Sequence, residues 1–383
     1  MDVDAATVLA FRLAGQDLAQ PAADATAVLG AWTIQDSPPG TAVAAVLART
    51  VGTVPTGWLD AALFEDRSLV ALYNARTATA ILAADQVAAY ATGMLPGDDD
   101  AELRAIVGPA LPDLAEGFAE PVALAVAAIA DALDGTTLSR DDLHEALRAR
   151  LPAELLPWCK GCESHHARRG VLVMAALHGR LCLAGRVGRQ PAFARTDQWT
   201  GWDAPDRATA GAQLVRRYLT AYGPSTRPHF AQWAGLGAAH AAALWTSVAG
   251  ELTEVRVADG DGDGGAVASV LTRDLAALQD PPAAHGVRLL APGDPLLLGR
   301  DRAALVPDAA QRKRAFLAIN APGLVIADGA PAALWRARKQ GKALAIATEP
   351  LDGAPAIDPA ALQAAAQRLA PHRGATSVTV ATA

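Results

Sequence analysis

The chain is poor in cysteine and in lysine, and it has no long apolar run. Three cysteines cannot form the even disulfide framework that is typical of a small secreted domain. No apolar run approaches the ~20 residues of a membrane span, and residues 1–4 lack the basic start of a signal peptide. We therefore expect a cytoplasmic protein, in a reducing compartment and without a membrane partner.

Positive charge is also scarce. The formal net charge is −7, and only four of the 33 basic residues are lysines. Because phosphate contacts need concentrated positive charge, this balance excludes a surface that binds nucleic acid everywhere and permits only a local basic groove. Most of the basic residues are arginines, whose planar guanidinium group suits bidentate contact with phosphate.

Residues 207–278 show a clear order of predicted helices and strands. An apolar helical segment is stopped by Gly223-Pro224, and Ser225 or Thr226 is placed to cap the next helix. That helix carries Phe230 and Trp233 on one face. It breaks near residue 235, and a third amphipathic helix follows over residues 238–248. Two short helices joined by a glycine-containing turn predict a helix-turn-helix.

A predicted β-hairpin follows this helix-turn-helix. Residues 252–257 and 266–271 alternate in polarity on either side of the glycine and aspartate run 259–264. The run resembles the start of a calcium loop, but the twelfth position is Val270 rather than the glutamate that such a loop requires, so we interpret it as a hairpin turn. The whole segment predicts a winged helix, although its acidic tip would repel DNA.

The same order of helices and a hairpin occurs twice more. In the first copy, helices over residues 8–18 and 40–49 precede a hairpin within residues 68–82. In the second, helices over residues 121–133, 139–150 and 170–178 precede a hairpin within residues 180–195, and Ser139 and Asp142 have capping-box-like spacing. We predict an α+β fold with three tandem winged-helix domains, at residues 1–115, 116–205 and 206–280.

The remaining segment, residues 283–383, is rich in short strands. Apolar stretches at residues 287–290, 323–327, 332–336 and 343–347 are separated by turns, of which Asp328-Gly329 is a strong hairpin signal. A helix over residues 359–369 and a strand over residues 377–380 follow. We predict a C-terminal β-barrel-like domain, joined to the rest by a linker at Pro281-Pro282.

Four phrases of the sequence resemble one known family. They are Gln35-Asp36-Ser37-Pro38-Pro39, Arg76-Thr77-Ala78-Thr79, Tyr222-Gly223-Pro224-Ser225-Thr226 and Leu289-Leu290-Ala291-Pro292-Gly293-Asp294-Pro295. In this order the chain resembles, over nearly its whole length, the winged-helix DNA-binding proteins that include the AlkZ-like DNA glycosylases. The resemblance implies three winged helices and a β-barrel around a concave DNA channel, and excision of alkylated or cross-linked bases.

The resemblance also marks candidate catalytic residues. The family has a Gln-apolar-Gln or Gln-apolar-Asp triplet after its second helix, and the matching positions here are Thr33-Ile34-Gln35. A histidine that often follows the family's Arg-Gly-Thr phrase is Ala80 here. The catalytic candidates are therefore Gln35, Thr33 and Asp36. The alternative role of Gln35-Asp36 is to cap the helix that begins after Pro38-Pro39.

The chemistry of the implied substrate makes a neutral amide sufficient for a slow reaction. Purines alkylated at N7 or N3 are cationic, so they are good leaving groups and need little help from a general acid. What remains is to position a water molecule and to stabilise the oxocarbenium-like sugar, which the dipole of Gln35 could do. The carboxylate of Asp36 could bind the water or the sugar if it faces the channel.

A Cys-x2-Cys motif at Cys159 and Cys162 is followed by His165 and His166. Zinc needs four ligands in a tetrahedron, so one histidine and a more distant residue such as Cys182 would have to complete the set. The alternative is a loop whose cysteines pack in the protein and whose histidines face DNA phosphates. Zinc at Cys159 and Cys162 is the one cofactor that the sequence indicates.

Further basic residues are candidates for DNA contact. Residues 335–339 combine an aromatic ring with three cations, which suits a clamp on the phosphate backbone or stacking on an exposed base. The alternative is that such runs form solvated faces. The DNA-binding candidates are Arg76, His165, His166, Arg168, Arg169, Trp335, Arg336, Arg338 and Lys339.

These inferences favour a monomer that binds double-stranded DNA and acts on alkylation damage. It would be a monofunctional DNA glycosylase or a protein that recognises cationic bases without excising them. The alternatives are a non-catalytic winged-helix transcriptional regulator and an interaction scaffold without DNA affinity. A regulator usually dimerises on half-sites about one helical turn apart, whereas three unlike winged helices suit a monomeric clamp.

Overall fold

The computed structural model describes residues 1–25, 28, 33–97, 99–258 and 265–382. Within those ranges, no helix combines the length and the apolar character of a membrane span. The chain folds into two compact units. Unit 1 contains Met1–Trp58, Arg217–His229 and Glu251–Ala383, and unit 2 contains Leu59–Arg216 and Phe230–Gly250. Each unit is therefore built from segments that are far apart in the sequence.

Helices and strands are mixed along the chain, as the α+β prediction requires. The helices are α1 (Ala5–Ala14), α2 (Thr41–Ala48), α3 (Trp58–Asp60), α4 (Val87–Met94), α5 (Asp100–Val107), α6 (Ala119–Ala132), α7 (Arg140–Arg148), α8 (Arg169–Leu177), α9 (Thr196–Thr200), α10 (Arg207–Tyr222), α11 (Arg227–Ala234), α12 (Ala238–Thr246), α13 (Leu275–Gln279), α14 (Ala309–Ala315) and α15 (Pro359–Leu369). The strands are β1 (Asp2–Val3), β2 (Leu69–Tyr73), β3 (Thr79–Ala83), β4 (Leu138–Ser139), β5 (Trp158–Cys159), β6 (Ser164–His165), β7 (Cys182–Val187), β8 (Gln190–Ala194), β9 (Leu252–Val257), β10 (Ala266–Leu271), β11 (Val287–Leu290), β12 (Gly323–Ala327), β13 (Ala330–Gln340), β14 (Ala343–Pro350) and β15 (Ser377–Thr382).

A five-stranded sheet with the order β3-β2-β7-β8-β4 organises unit 2. Both predicted hairpins of this region, β2–β3 and β7–β8, are present. They share one sheet because Ala71 of β2 pairs with Leu183 of β7. Helix α8 packs against this sheet and against α5 and α6, and every residue after Arg169 in it is buried. The apolar sequence of α8 thus forms the centre of the unit.

Short-range polar contacts fix where the helices of unit 2 begin. The hydroxyl of Ser139 accepts a hydrogen bond from the Asp142 amide at 3.2 Å and donates one to the Asp142 carboxylate at 2.6 Å, which confirms the predicted start of α7. Asp99 caps α5 through the amides of Ala101 and Glu102. Helices α4 and α5 were not predicted, although Asp99 is a recognisable cap in the sequence.

Helices α10 and α11 begin and end where the sequence indicates. Helix α10 ends directly before Gly223-Pro224, and the hydroxyl of Thr226 accepts a hydrogen bond from the His229 amide at 3.3 Å as α11 begins. Ser225, the other candidate cap, instead bonds the hydroxyl of Tyr218 at 2.6 Å. Of the two candidates, Thr226 is therefore the cap.

The predicted hairpin β9–β10 has the bounds that the alternation of polarity indicated, and it belongs to unit 1. Strand β1 adds to it as a parallel third strand, with Asp2 opposite Arg256. An apolar cluster packs Val8 and Phe11 of α1 against Val255 and Val270 of the hairpin. The glycine and aspartate run 259–264 lies outside the described residues.

The C-terminal part of unit 1 is a five-stranded sheet with the order β11-β12-β13-β14-β15. Strands β12 and β13 meet at Asp328-Gly329, whose φ angles of 47° and 82° are those of the predicted two-residue turn. Strand β15 runs parallel to β14 after the crossover helix α15. In the described chain, the edge strands β11 and β15 are not paired with each other, so the predicted barrel is an open, curled half-barrel.

Candidate active site and nucleic-acid interface

Gln35 lies in the loop of unit 1 that leads into α2, and its side chain is half-buried. Its backbone carbonyl accepts a hydrogen bond from the Thr41 hydroxyl at 3.1 Å, which ties the loop to the first turn of α2. Its side-chain amide has no hydrogen-bond partner among the described residues. This amide can therefore bind a water molecule or a substrate without breaking an existing contact.

Asp36 has a structural role that Gln35 lacks. Its Oδ1 atom accepts hydrogen bonds from the backbone amides of Gly40 at 2.7 Å and Ala42 at 3.1 Å. These are amides at the start of α2, which have no partner within the helix. Helix capping is thus the observed role of the Asp36 carboxylate, and Gln35 is the residue of the pair whose side chain is left for chemistry.

Thr33 and Gln35 flank a buried residue. Ile34 is fully buried, whereas Thr33 and Gln35 are both half-buried. This alternation is expected when the two polar side chains share one side of an extended segment. Ala80, which stands where the family often has a histidine, is fully buried in β3 of unit 2, opposite Leu72.

One cation lies beside the Gln35 loop and was not predicted. Arg373 donates a hydrogen bond from Nη1 to the carbonyl of Pro39 at 3.3 Å, and its guanidinium lies 3.4 Å from the position that a Cβ atom on Gly40 would take. Its Nε atom is buried and has no hydrogen-bond partner in the described part of the chain. The sequence offers no signal for this contact because Arg373 and Pro39 are separated by 334 positions.

A buried ion pair supports the same loop. Arg49 follows α2 and binds Asp294 through two hydrogen bonds of 2.8 Å each, and both side chains are fully buried. Arg49 also donates from Nε to the carbonyl of Gln16 at 2.9 Å. Next to Asp294, Gly293 has a φ of 77°, and a Cβ atom there would lie 3.3 Å from the carbonyl oxygen of Ser37. The Gly293-Asp294 phrase thus packs on the Gln35 loop and anchors the helix that follows it.

A second set of long-range contacts holds the Tyr222-Gly223-Pro224-Ser225-Thr226 phrase. Arg12 donates hydrogen bonds to the carbonyl oxygens of Tyr222 at 3.1 Å, Gly223 at 3.3 Å and Pro224 at 2.9 Å. The same guanidinium contacts the carboxylate of Asp301 at 3.4 Å. All three of these hydrogen bonds are accepted by backbone carbonyl oxygens. Glycine and proline can therefore occupy positions 223 and 224 without losing these contacts.

Unit 2 contains a cleft of about 810 Å³ with cationic walls. Three arginines line it, Arg140, Arg148 and Arg169, together with His166. The guanidinium of Arg169 lies 4.3 Å from the ring centroid of Tyr73 and donates to the carbonyl of Thr77 at 3.3 Å. The start of α8 and the β2–β3 turn therefore meet at this cleft. Among the predicted DNA-binding residues, the structure brings His166 and Arg169 together here, and it adds Arg140 and Arg148.

The other candidates in unit 2 make mostly structural contacts. Arg168 donates to the carbonyls of Trp158 at 2.9 Å and Pro109 at 3.4 Å. Nδ1 of His165 lies 2.8 Å from the carbonyl oxygen of Leu156, and its ring packs edge-on against Trp158. Arg76 is half-buried in the β2–β3 turn, where its chain approaches Gly235.

The Cys/His motif forms a compact cluster in unit 2. One ligand atom each of Cys159, Cys162 and His166 lies within 4.8 Å of the others. Contact with His166, followed by hydrogen bonding from Cys162, lowers the pKa of Cys159 to about 7. The pKa of Cys162 is raised, first by its hydrogen bond with Cys159.

Neither Cys182 nor His144 belongs to this cluster. Cys182 lies in β7, where burial raises the pKa of its thiol to about 12. The expectation that Cys182 joins the motif is therefore wrong. His144 stacks face to face on His166 with a centroid distance of 4.4 Å, and burial lowers the pKa of His144 to about 4.

The basic run at residues 335–339 lies in β13 of unit 1. Its first residue is buried in the core, and the residues after it are exposed to solvent. Trp335 is 3% exposed and donates from its indole nitrogen to the carbonyl of Leu290 at 2.9 Å. It is a core residue, so the hypothesis that it stacks on a base is corrected. Arg336, Arg338 and Lys339 are exposed, and alternation along β13 puts the two arginines on one face of the sheet.

Comparison with known proteins gives three matches. The model of the DNA glycosylase AlkZ-like family matches residues 27–372. Among curated proteins, the chain is similar to an interstrand DNA cross-link repair glycosylase from Streptomyces sahachiroi, with 30% identity over 219 residues, and the match covers 54% of this chain and 55% of that protein. In that comparison, the chain spans about half the length of the curated relative.

The fold is similar to that of a solved structure. Streptomyces sahachiroi DNA glycosylase AlkZ superposes with a TM-score of 0.77 at 21% identity, with 100% of both chains covered. The family match includes the Gln35 loop, both ends of the Arg49–Asp294 pair and the cationic cleft of unit 2. The chain belongs to the AlkZ-like DNA glycosylase family.

Proposed function

We propose that this protein is a monofunctional DNA glycosylase that hydrolyses the N-glycosidic bond of cationic, alkylated purines in duplex DNA. The observation that carries the proposal is the half-buried amide of Gln35, which is unpartnered within the described chain, beside a carboxylate that caps α2. A purine alkylated at N7 or N3 leaves without a general acid, so the enzyme has to position a water molecule and stabilise positive charge on the sugar. A preorganised amide can do both.

Thr33 would contribute less than the glutamine that the family has at this position. Its hydroxyl is shorter than an amide side chain and offers one donor rather than two. With Gln35 as the main polar group, the reaction would be slow and limited to bases that are already good leaving groups. Cationic lesions are therefore the proposed preferred substrates.

The curated relative suggests a second form of the same substrate. That protein is named for the repair of interstrand DNA cross-links. A cross-link attached at purine N7 has the same cationic leaving group as a methylated base. We propose that this chain also accepts such cross-links, since the chemistry at the sugar is unchanged.

The architecture proposed for DNA binding is three winged helices, at residues 1–115, 116–205 and 206–280, followed by the C-terminal domain 283–383. Helices α10 to α12 with the hairpin β9–β10 support the third of these, because they have the order that a winged helix requires. The protein would bind duplex DNA as a monomer in the cytoplasm.

Phosphate contacts are proposed for two groups of arginines. In unit 2, Arg140, Arg148 and Arg169 line the cleft of about 810 Å³. In unit 1, Arg336 and Arg338 are exposed on β13. Concentrating cations at these places would allow DNA binding in spite of a net charge of −7.

The proposal is tested by measuring release of N7-methylguanine from alkylated duplex DNA under single-turnover conditions. The wild type should release the base, and Gln35→Ala should lower the rate by about 100- to 1000-fold, as for loss of one positioned polar group. Ser37→Ala is the matched control, because Ser37 lies in the same loop and its side chain is exposed. The control should retain the wild-type rate.

Two outcomes would contradict the proposal. If the wild type binds alkylated duplex tightly but releases no base, the protein recognises damage without catalysis. If Gln35→Ala and the wild type release the base at equal rates, catalysis lies elsewhere. Circular dichroism of each variant separates these outcomes from misfolding.

A further inference from the structure

The Cys/His cluster of unit 2 has the geometry of a metal site. Cys159 lies in β5, Cys162 lies in the turn after it, and His166 follows β6, so a two-stranded hairpin presents all three side chains. Their ligand atoms lie within 4.8 Å of one another. Tetrahedral zinc with bonds of about 2.0–2.3 Å has ligands roughly 3.5–4 Å apart, so only a small contraction is needed.

The ring of His166 is already oriented as a ligand. Its Nδ1 atom lies 2.9 Å from the carbonyl oxygen of Ala167, which can only accept a hydrogen bond. Nδ1 therefore carries the proton, and Nε2 is left with a lone pair. Nε2 is buried and accepts no hydrogen bond from any residue that the structure describes. A metal-bound histidine typically donates its other ring N–H to a carbonyl in this way, which fixes the tautomer and the ring orientation.

The turn between the cysteines is also arranged for sulfur ligands. The amide of Cys162 donates to the carbonyl of Cys159 at 3.2 Å, which closes the turn. The closed turn keeps the sulfur atoms of Cys159 and Cys162 within 4.8 Å of each other. Two sulfur atoms at this spacing can both bind one metal ion.

We propose that Cys159, Cys162 and His166 bind one Zn²⁺ ion, with a water molecule in the fourth position on the side of the cationic cleft. Two thiolates balance the charge of the ion, so the site adds no net charge beside Arg140 and Arg169. Thiolate and imidazole ligands favour zinc over magnesium or calcium.

The ion would have a structural role. Cys159 and Cys162 belong to the β5–β6 hairpin, and His166 lies three residues before α8. Zinc would tie the hairpin to the start of α8, where Arg169 enters the cleft. Because the hairpin has only two residues in each strand, its own hydrogen bonds give it little stability, and a metal supplies what it lacks.

The test measures metal content and Co²⁺ binding in the full-length protein, purified without chelators or an affinity tag that binds metals. The wild type should contain one zinc per chain by mass spectrometry. Zinc-depleted protein should bind one Co²⁺ with the visible bands of a tetrahedral site and sulfur charge-transfer absorption. Cys162→Ser should weaken Co²⁺ binding by more than about 100-fold, since even an outer-shell change costs up to about 100-fold.

His165→Ala is the matched control, because His165 is the adjacent histidine and bonds the Leu156 carbonyl instead. It should retain the wild-type metal content. If a variant fails to fold, the test uses the wild type alone. A chelator should lower the melting temperature of the wild type, and adding Zn²⁺ but not Mg²⁺ should restore it. Substoichiometric zinc with no Co²⁺ bands, a chelator-insensitive melting temperature, or equal binding by Cys162→Ser would overturn the proposal.

Discussion

Arg49 and Asp294 form a bidentate ion pair in which neither side chain is exposed to solvent, and 245 positions of sequence separate them. Burying either charge alone would cost free energy, and the ion pair offsets that cost because the two opposite charges are buried together. Asp294→Ala should therefore lower the free energy of unfolding by about 3–5 kcal/mol, since it removes one member of a buried ion pair. Urea denaturation measures this change.

The pair of exposed Arg273 with half-buried Asp274 provides the control for that measurement. Arg273→Ala should cost less than about 1 kcal/mol, because solvent screens the pair. The double variant Arg49→Met/Asp294→Leu should be less destabilised than the sum of the single variants, since both charges of the pair are removed together. A loss below about 1 kcal/mol for Asp294→Ala would show that the pair does not hold unit 1 together.

Thr33→Gln restores the amide that the family has before the buried Ile34. If the hydroxyl of Thr33 is the weak member of a catalytic pair, the longer side chain should raise the rate of N7-methylguanine release by up to about 100-fold, the lower end of what one positioned polar group contributes. Thr33→Ala is the comparison, and it should reduce the already slow rate. Equal rates for all three proteins would exclude Thr33 from catalysis.

Arg169→Ala tests the cleft of unit 2. The substitution removes a guanidinium that lies over Tyr73 and bonds Thr77, and it should weaken duplex binding equally for alkylated and unmodified DNA. A plot of log affinity against log salt concentration should lose about 1 unit of slope if one phosphate contact is removed. Arg273→Ala, an exposed arginine of unit 1, should leave the slope unchanged, and an unchanged slope for Arg169→Ala would exclude the phosphate contact.

His240 makes the stability of unit 2 depend on pH. Its Nδ1 atom lies 3.7 Å from a carboxylate oxygen of Glu102, yet burial lowers the pKa of His240 below the usual 6.5, Glu102 partly opposes the change, and Arg207 adds to it. The unfolded chain therefore takes up the proton more readily than the folded chain. The stability contributed by neutral His240 is complete above pH 6.5 and is lost as the pH falls through the folded-state pKa.

Melting temperatures measured from about pH 7.5 to about pH 5 should show this loss for the wild type. His240→Gln should flatten that part of the curve, because glutamine does not titrate. His285→Gln is the control, since His285 is exposed. Parallel curves for the wild type and His240→Gln would assign the pH dependence to other groups.

Elements that depend on neighbouring residues could be predicted from the sequence. The hairpin turn at Asp328-Gly329, the cap at Thr226 and the paired contacts of Ser139 with Asp142 all involve residues within four positions of one another. Their geometry follows from backbone conformations and local hydrogen bonds, which the residue types themselves favour.

Contacts between distant segments could not be predicted in the same way. Nothing near Arg49 in the sequence indicates Asp294, and Arg373 is even farther along the sequence from Gly40, which it contacts. The sharing of one sheet by β2 and β7 depends on a single pair of residues, Ala71 and Leu183. The prediction that Trp335 stacks on a base was also wrong. Its ring is buried in the core, and its indole nitrogen donates a hydrogen bond to the Leu290 carbonyl within the protein.

The candidate catalytic residues were found through the family phrases, and the structure separates their roles. Sequence alone left helix capping and catalysis open for Gln35-Asp36. The structure shows capping for Asp36 alone, because only its carboxylate reaches the amides of Gly40 and Ala42, and catalysis by Gln35 stays a prediction. That distinction needs the conformation of the loop, which residue types do not determine.

The separation of Arg49 from Asp294 also matters while the protein is being made. A ribosome that adds about 5–20 residues per second needs roughly 12–50 s to synthesise the 245 residues between the two partners. Through that interval the bidentate pair with Asp294 cannot form, so the core of unit 1 stays incomplete. The long segment Leu59–Arg216 of unit 2 leaves the ribosome before the C-terminal part of unit 1 is made. The apolar residues of α1, which pack on that C-terminal part in the folded protein, would therefore stay uncovered for tens of seconds in the nascent chain.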